Sequence, residues 1–289
     1  MRYYRKADGG SSRLIVFTDG GAYDLTDARS RITRFVDLAR TASVMDQDID
    51  HVTDALIADA RTVGAKSITH DQQIPVVANE VWAAGVTYRI SEEARQAESE
   101  RPDIYAQVYD SDRPEIFFKS TPSRTVGPGE DVGIRSDSEW DVPEPELAVV
   151  LYDGNVVGYT IGNDMSSRSI EGRNPLYLPQ AKVYDRCCAV GPCVVTPDTI
   201  GDPHDLEIEM TISREGEPVF SGTTATSEMI KSCDELVTSL TKSNPVPEIA
   251  VLLTGTAIVP DDEFTLRPED EIEITIENIG TLTNTVRRV

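Results

Sequence analysis

The stretch from Trp140 to Asp164 narrows the fold more than any other part of the chain. Two short apolar runs, Leu147-Ala-Val-Val-Leu151 and Val156-Val-Gly-Tyr-Thr-Ile161, flank the turn formers Asp153-Gly154-Asn155. Runs of this length bounded by turn residues read as strands rather than helices, so the segment is an antiparallel hairpin. Immediately before it stands Glu144-Pro145-Glu146. In an extended chain residues i and i+2 share a face, so both carboxylates project together. Like charges that close repel, and one would be protonated unless a cation lies between them. A hard divalent ion such as Mg²⁺ is the simplest such cation, with Mn²⁺ or Ca²⁺ able to replace it. A three-residue loop at 153–155 sets Asp164 opposite Glu144 and brings a third carboxylate within roughly 5 Å in Cβ terms. A two-residue loop would shift the pairing by one and turn Asp164 to the other face. On spacing alone, Glu144 and Glu146 could also be solvated edge charges, since 50 of the 289 residues are Asp or Glu.

The remaining pattern is also mostly β. Arg13 to Phe17 reads as a strand closed by Gly20-Gly21. Leu206, Ile208, Met210 and Ile212 alternate ahead of Glu215-Gly216 and Val219-Phe220, which predicts a hairpin with one buried face. Ala250 to Val259 and Ile272 to Ile276 are further strands. Two helices are expected. One spans Asp46 to Arg61; the other carries Met229, Ile230, Cys233, Leu236, Val237 and Leu240 at helical spacing with Ser227 as N-cap. Pro75 marks a boundary near Gln73-Ile74-Pro75. The expected organisation is a small N-terminal α/β unit over 1–75 and an α+β, mainly β, catalytic domain over 76–289. The Pro- and Gly-rich stretches Ser120–Gly133 and Arg173–Gln180 read as structured loops of the kind that line active sites.

Charge excludes several partners. There are 27 Lys and Arg against 50 Asp and Glu, a formal net charge of −23. Nucleic acid and anionic membrane would be repelled. Only six of the basic residues are Lys, and an acidic, Lys-poor surface suits concentrated salt, where repulsion is screened over about 3 Å at 1 M. Cys187, Cys188, Cys193 and Cys233 form no C-x-x-C pair, so neither a zinc knuckle nor a disulfide framework is expected. No apolar run approaches the roughly 20 residues of a bilayer span, and no apolar leader follows the first residues. A cytoplasmic location is the expectation.

Several motifs occur in a fixed order: Pro114-Glu-Ile-Phe-Phe-Lys119, Glu144-Pro-Glu-Leu-Ala-Val-Val150, Val157-Gly-Tyr-Thr-Ile-Gly-Asn-Asp-Met-Ser-Ser-Arg168, Val190-Gly-Pro192, Thr254-Gly-Thr256 and Ile279-Gly-Thr-Leu-Thr-Asn284. Over about residues 75–289 this order resembles the fumarylacetoacetate hydrolase superfamily. The resemblance implies a mixed β-sandwich roll and a metal held by Glu144, Glu146 and Asp164. It also implies a catalytic or substrate-binding role for Lys182, which follows the metal Asp, and for Lys119 of the P-x-x-F-x-K element. Tyr88, Arg168 and Thr281 are implied substrate contacts by motif position. Homodimers or homotetramers are implied as well.

Family hydrolases carry G-x-N-Y followed closely by a His that activates water. The matching stretch here, Gly85-Val-Thr-Tyr-Arg-Ile-Ser-Glu-Glu93, has no His. Arg135-Ser-Asp-Ser-Glu-Trp140, Asn174-Pro-Leu-Tyr-Leu-Pro-Gln180 and Cys187-Cys188 instead resemble the family's sugar-acid dehydratase branch. That branch implies a 2-keto sugar acid as substrate: dehydration of a 2-keto-3-deoxy-pentonate (xylonate or arabinonate) to 2,5-dioxopentanoate in pentose breakdown. Such chemistry requires a base for a C3 proton, and Glu115 is the candidate. Acylpyruvate or β-diketone hydrolysis, 2-keto acid decarboxylation and a silent metal-binding accessory subunit are the alternatives.

Overall fold

The computed structural model describes residues 1–64, 68, 71–88, 111 and 113–289. Residues 89–93 of the stretch that lacks the hydrolase His therefore lie outside the described residues.

Among the described residues two sheets dominate. The larger has twelve strands, and its main path runs Arg61–Val63, Gly21–Asp24, Ser11–Thr18, Arg2–Asp8, Cys188–Val195, Asn155–Asp164, Pro145–Tyr152, Ile249–Leu253, Glu80–Gly85 and Glu115–Ser120. The smaller has five: Glu217–Ala225, Glu207–Arg214, Glu271–Ile276, Gly280–Arg288 and Asp131–Ile134. Most neighbours are antiparallel, but Ile249–Leu253 pairs with Glu80–Gly85, and Gly280–Arg288 with Asp131–Ile134, in parallel. The sheet is therefore mixed, as expected. Arg2 and Tyr3 pair with Val195 and Val194, so the strands of residues 1–75 continue the sheet that carries the rest of the chain. Among the described residues no helix is long and apolar enough to cross a membrane.

The central strands are buried throughout. Every residue of Pro145–Tyr152 and of Cys188–Val195 is buried, which is the burial expected of strands covered on both faces. Alternation reappears where one face is wet: Glu207–Arg214 buries Ile208, Met210 and Ile212 and exposes Glu207 and Glu209. A single apolar cluster joins the N-terminal helices to both sheets through Phe35, Leu38, Leu151, Val194, Ile208 and Leu282.

Three local expectations are corrected. The helix over 229–240 spans only Cys233–Thr241 and is capped by Ser232, not Ser227. Ser232 Oγ accepts from Glu235 N, and the Glu235 side chain accepts from Ser232 N, a reciprocal cap that starts the helix there. Ahead of it Ile230 N donates to Thr87 O, so Met229 and Ile230 pair with the chain at 87–88 instead of coiling. The strand over 250–259 ends at Leu253, because Thr254 turns to donate through both N and Oγ1 to Leu147 O and Gly255 adopts φ +94°. The helix over 46–61 is shorter, Ile49–Ile57, and is preceded by an unanticipated helix, Phe35–Met45. Phe35, Leu38, Ala39 and Ala42 form that helix's buried stripe, and Asp46 ends it in the left-handed conformation at φ 53°.

Candidate metal centre

The hairpin positions the carboxylates by a different route from the one the spacing suggests. Tyr152 pairs with Asn155 and Leu151 with Val156, so the turn has two residues, not three. Asp153 and Gly154 take φ 45° and 79°, the positive values that a tight hairpin turn requires. By itself this would put Asp164 on the wrong face. Val157, however, is an extra residue between the pairs Leu151/Val156 and Val150/Gly158. This bulge shifts the register back by one. Pro145 then pairs with Asn163 and Glu146 with Gly162, and Asp164 N donates to Glu144 O at 2.9 Å.

The three carboxylates converge as expected. Glu144, Glu146 and Asp164 each offer an oxygen, and these oxygens lie within 4.8 Å of one another. All three side chains are buried. Glu146 feels the crowding most: burial, then the Asp164 and Glu144 charges, push its carboxyl well above the ordinary carboxylate range. Gly255 N, placed by the turn after Leu253, donates to Glu146 Oε2 at 2.5 Å. A Cβ on Gly255 would stand 2.0 Å from Thr87 Oγ1, so this close approach needs glycine. Buried oxygen donors that repel one another fit a hard divalent cation.

Cations of the chain surround the cluster. Lys182 Nζ donates to Glu144 Oε2 at 2.7 Å, Asp164 Oδ2 at 3.0 Å and Ser166 Oγ at 2.6 Å. It sits at the end of the short helix Leu178–Lys182, is 1% exposed and lines the cleft. Arg168 Nη2 stands 3.0 Å from Glu144 Oε1. Lys119 Nζ stands 2.5 Å from Asp164 Oδ1 and donates to Met165 O and Lys182 O.

Lys119 and Arg168 therefore brace carboxylates from behind. Neither is among the described residues lining the cleft; as placed, both meet the carboxylates rather than the open space. Thr281 is exposed on the smaller sheet, is hydrogen-bonded to Thr275 Oγ1 at 2.9 Å and is not among the described residues lining the cleft. Its motif opens the strand Gly280–Arg288. Tyr88 is buried near Glu146, and burial followed by that charge raises its hydroxyl's pKa. Glu115 does line the cleft, with its carboxylate over Gly85, where a Cβ would come within 2.0 Å of Glu115 Oε2.

The cleft is walled by Ala84, Gly85, Val86, Glu115, Phe117, Glu171, Lys182, Gly255 and Thr256 around the three acids. Glu171 had not been anticipated. Its signal was the i, i+3 spacing from Arg168, and Arg168 Nη1 lies 3.7 Å from Glu171 Oε2. Among the described histidines, neither reaches the cleft: His51 is exposed, and His204 Nε2 accepts from Cys233 N.

A fold of two mixed sheets around a buried three-carboxylate centre places the chain in a known class. It belongs to the fumarylacetoacetate hydrolase family, whose C-terminal domain model matches residues 80–287. Within that family it is similar to a Haloferax volcanii protein named probable 2-keto-3-deoxyxylonate dehydratase, with 57% identity over 289 residues and 100% of both chains covered. It is 48% identical over 219 residues, 74% of each chain, to the 2-dehydro-3-deoxy-D-arabinonate dehydratase of Saccharolobus solfataricus. A solved 2-keto-3-deoxy-D-arabinonate dehydratase complexed with magnesium and 2,5-dioxopentanoate superimposes with a TM-score of 0.86 at 38% identity, over 100% of this chain and 99% of that one.

Proposed function

We propose that this protein is a hydro-lyase that converts a 2-keto-3-deoxy-pentonate, of the xylonate or arabinonate type, into 2,5-dioxopentanoate and water, with Mg²⁺ held by Glu144, Glu146 and Asp164. The observation that carries the reading is the buried carboxylate triad with Lys182 at its edge, in a chain similar along its whole length to a dehydratase. Bound there, the metal supplies Lewis acidity toward a 2-keto acid, making the C3 protons more acidic. Glu115 takes a C3 proton. Lys182, whose ammonium already donates three hydrogen bonds in the cleft, gives a proton to the departing C4 hydroxyl. The C4–O bond breaks, water leaves and a C3=C4 double bond forms. Loss of a proton from C5 and its return at C3 produce the enol of the C5 aldehyde, which tautomerises to product. Arg168 and Lys119 hold the carboxylates in place throughout.

Neither described histidine reaches the cleft, so among its described lining residues no histidine matches the water-activating base of a hydrolase. As an acidic enzyme of small-molecule metabolism it belongs in the cytoplasm. Its charge balance suits a salt-rich one, and a homodimer or homotetramer is the assembly in keeping with the family.

The test is direct. Purified protein with Mg²⁺ should form the semialdehyde from 2-keto-3-deoxy-xylonate or its arabinonate epimer, and no product from either would sink the reading. Glu146→Gln should lower metal-dependent turnover by at least ~10²-fold with an unchanged circular dichroism spectrum. Full activity in that variant would remove the metal assignment.

A further inference from the structure

The three acceptors that hold Lys182 are not alike. Its ammonium has three N–H donors and no acceptor, and they reach Glu144 Oε2 at 2.7 Å, Asp164 Oδ2 at 3.0 Å and Ser166 Oγ at 2.6 Å. The first two are oxygens of the proposed metal ligands. Ser166 lies outside the triad and carries no charge. Its hydroxyl has one proton, which it gives to Asp164 O at 3.0 Å, so toward Lys182 the oxygen acts as acceptor. The backbone beneath is also fixed. Ser166 pairs with Val142 in the small sheet of Asp141–Val142 and Ser166–Ser167. Thr265 Oγ1 accepts from Asp141 N and Leu266 N donates to Asp141 O, which ties that sheet down. Ser166 is fully buried, so bulk water does not compete for its oxygen. On the cleft side the Phe117 ring lies 5.6 Å from Lys182 Nζ.

We infer that Ser166 is a positioning residue for the proposed proton donor: it keeps the Lys182 ammonium at the cleft edge while one N–H turns from a carboxylate to the substrate. Giving a proton to a substrate hydroxyl takes one of the three N–H groups off its present acceptor. Glu144 and Asp164 must also serve the metal, so their hold on the ammonium changes with its occupancy. The hold of Ser166 does not. A hydrogen bond from an ammonium is among the stronger ones a neutral hydroxyl makes, and geometry fixed before the reaction is what a proton donor needs. The inference rests on the proposed role of Lys182 and deepens it. Ser166 acts through the lysine and is not needed to hold the metal.

A double-mutant cycle isolates the effect. The full-length enzyme, Ser166→Ala, Lys182→Met and the double variant are compared by kcat on the 2-keto-3-deoxy-pentonates and by calorimetric titration with Mg²⁺. Ser166→Ala should lower kcat by at least about tenfold, as expected when a hydrogen bond to a charged group is lost. Its Mg²⁺ affinity should stay within about threefold, whereas loss of a group that orients a metal ligand costs about 10- to 100-fold. In the Lys182→Met background the same substitution should change kcat by less than about threefold, because the group it positions is gone. Should Ser166→Ala not fold, the near-isosteric Ser166→Cys, whose sulfur is a weak acceptor, takes its place in the cycle. A larger loss of Mg²⁺ affinity would show that the serine serves Asp164 and would overturn the inference. A smaller loss of kcat, or a larger one in the Lys182→Met background, overturns it too. Full activity of Lys182→Met sinks the proton-donor reading of the lysine, and an unmodified enzyme inactive on both epimers sinks the dehydratase reading; either takes this inference with it.

Discussion

At the scale of single residues the site is a problem in charge. Three carboxylates that would repel one another are buried together, and Lys182 lies against two of them. A divalent ion held by the triad would share these carboxylates with its ammonium. Lys182→Met should cut turnover by roughly 10²- to 10⁴-fold, while calorimetry still detects Mg²⁺ binding; loss of metal binding would instead make the lysine structural. Asp141 makes a separate prediction. Burial holds its carboxyl up at about 6, against an ordinary 3.8. A raised carboxylate pKa means the folded state keeps the proton longer, so Asp141 costs nothing below the unfolded value. Its cost grows as pH rises from about 3.8 to about 6 and is complete above that. Asp141→Asn should therefore stabilise the protein at pH 7 by up to about 3 kcal/mol and leave stability at pH 3.5 unchanged, as read by denaturant melts at the two pH values. An equal effect at both would refute the titration account.

At the scale of elements, turns and bulges decide what meets what. The hairpin brings Asp164 to Glu144 only because the extra residue Val157 offsets the two-residue turn. The turn after Leu253 brings a backbone N–H to Glu146 only because Gly255 can take φ +94° against Thr87. Gly255→Ala should lower Mg²⁺ affinity by about 10- to 100-fold, the range seen when a group orienting a ligand is lost. Titration with Mg²⁺ would show it, and an unchanged affinity would mean that the Gly255 contact does not orient Glu146. The same scale explains the misplaced helix start: Ser227 precedes the apolar stripe and Ser232 falls within it, but only Ser232 has a Glu three residues on to close the reciprocal cap. That signal was present in the sequence.

At the scale of the whole molecule, a net charge of −23 and an acidic cleft both work against compactness. Divalent cations relieve the cleft by binding the folded state alone, which at one hundred times Kd contributes about 2.7 kcal/mol. Monovalent salt relieves the surface by screening. Melting temperature should rise with Mg²⁺ at fixed ionic strength, and separately with KCl toward 1 M. The Mg²⁺ increment should vanish in Glu146→Gln while the KCl increment stays. If both increments survive in that variant, the stabilising ion binds elsewhere.

The ordered motifs carried the family, the mixed β architecture and the metal triad, because chemistry that needs fixed residue types at fixed spacing is written along the chain. The hairpin register came out right through a wrong turn, since a bulge depends on how the strand pairs with its neighbours and not on its own residues. Lys119, Arg168 and Thr281 share motifs with the site, yet the first two brace it from behind and the third lies on the smaller sheet. Glu171 and Gly85, neither singled out from the linear pattern as a site residue, line the cleft. Which face a side chain presents is set by the packing of distant strands, and that is why membership in the site was decided only when the sheets came together.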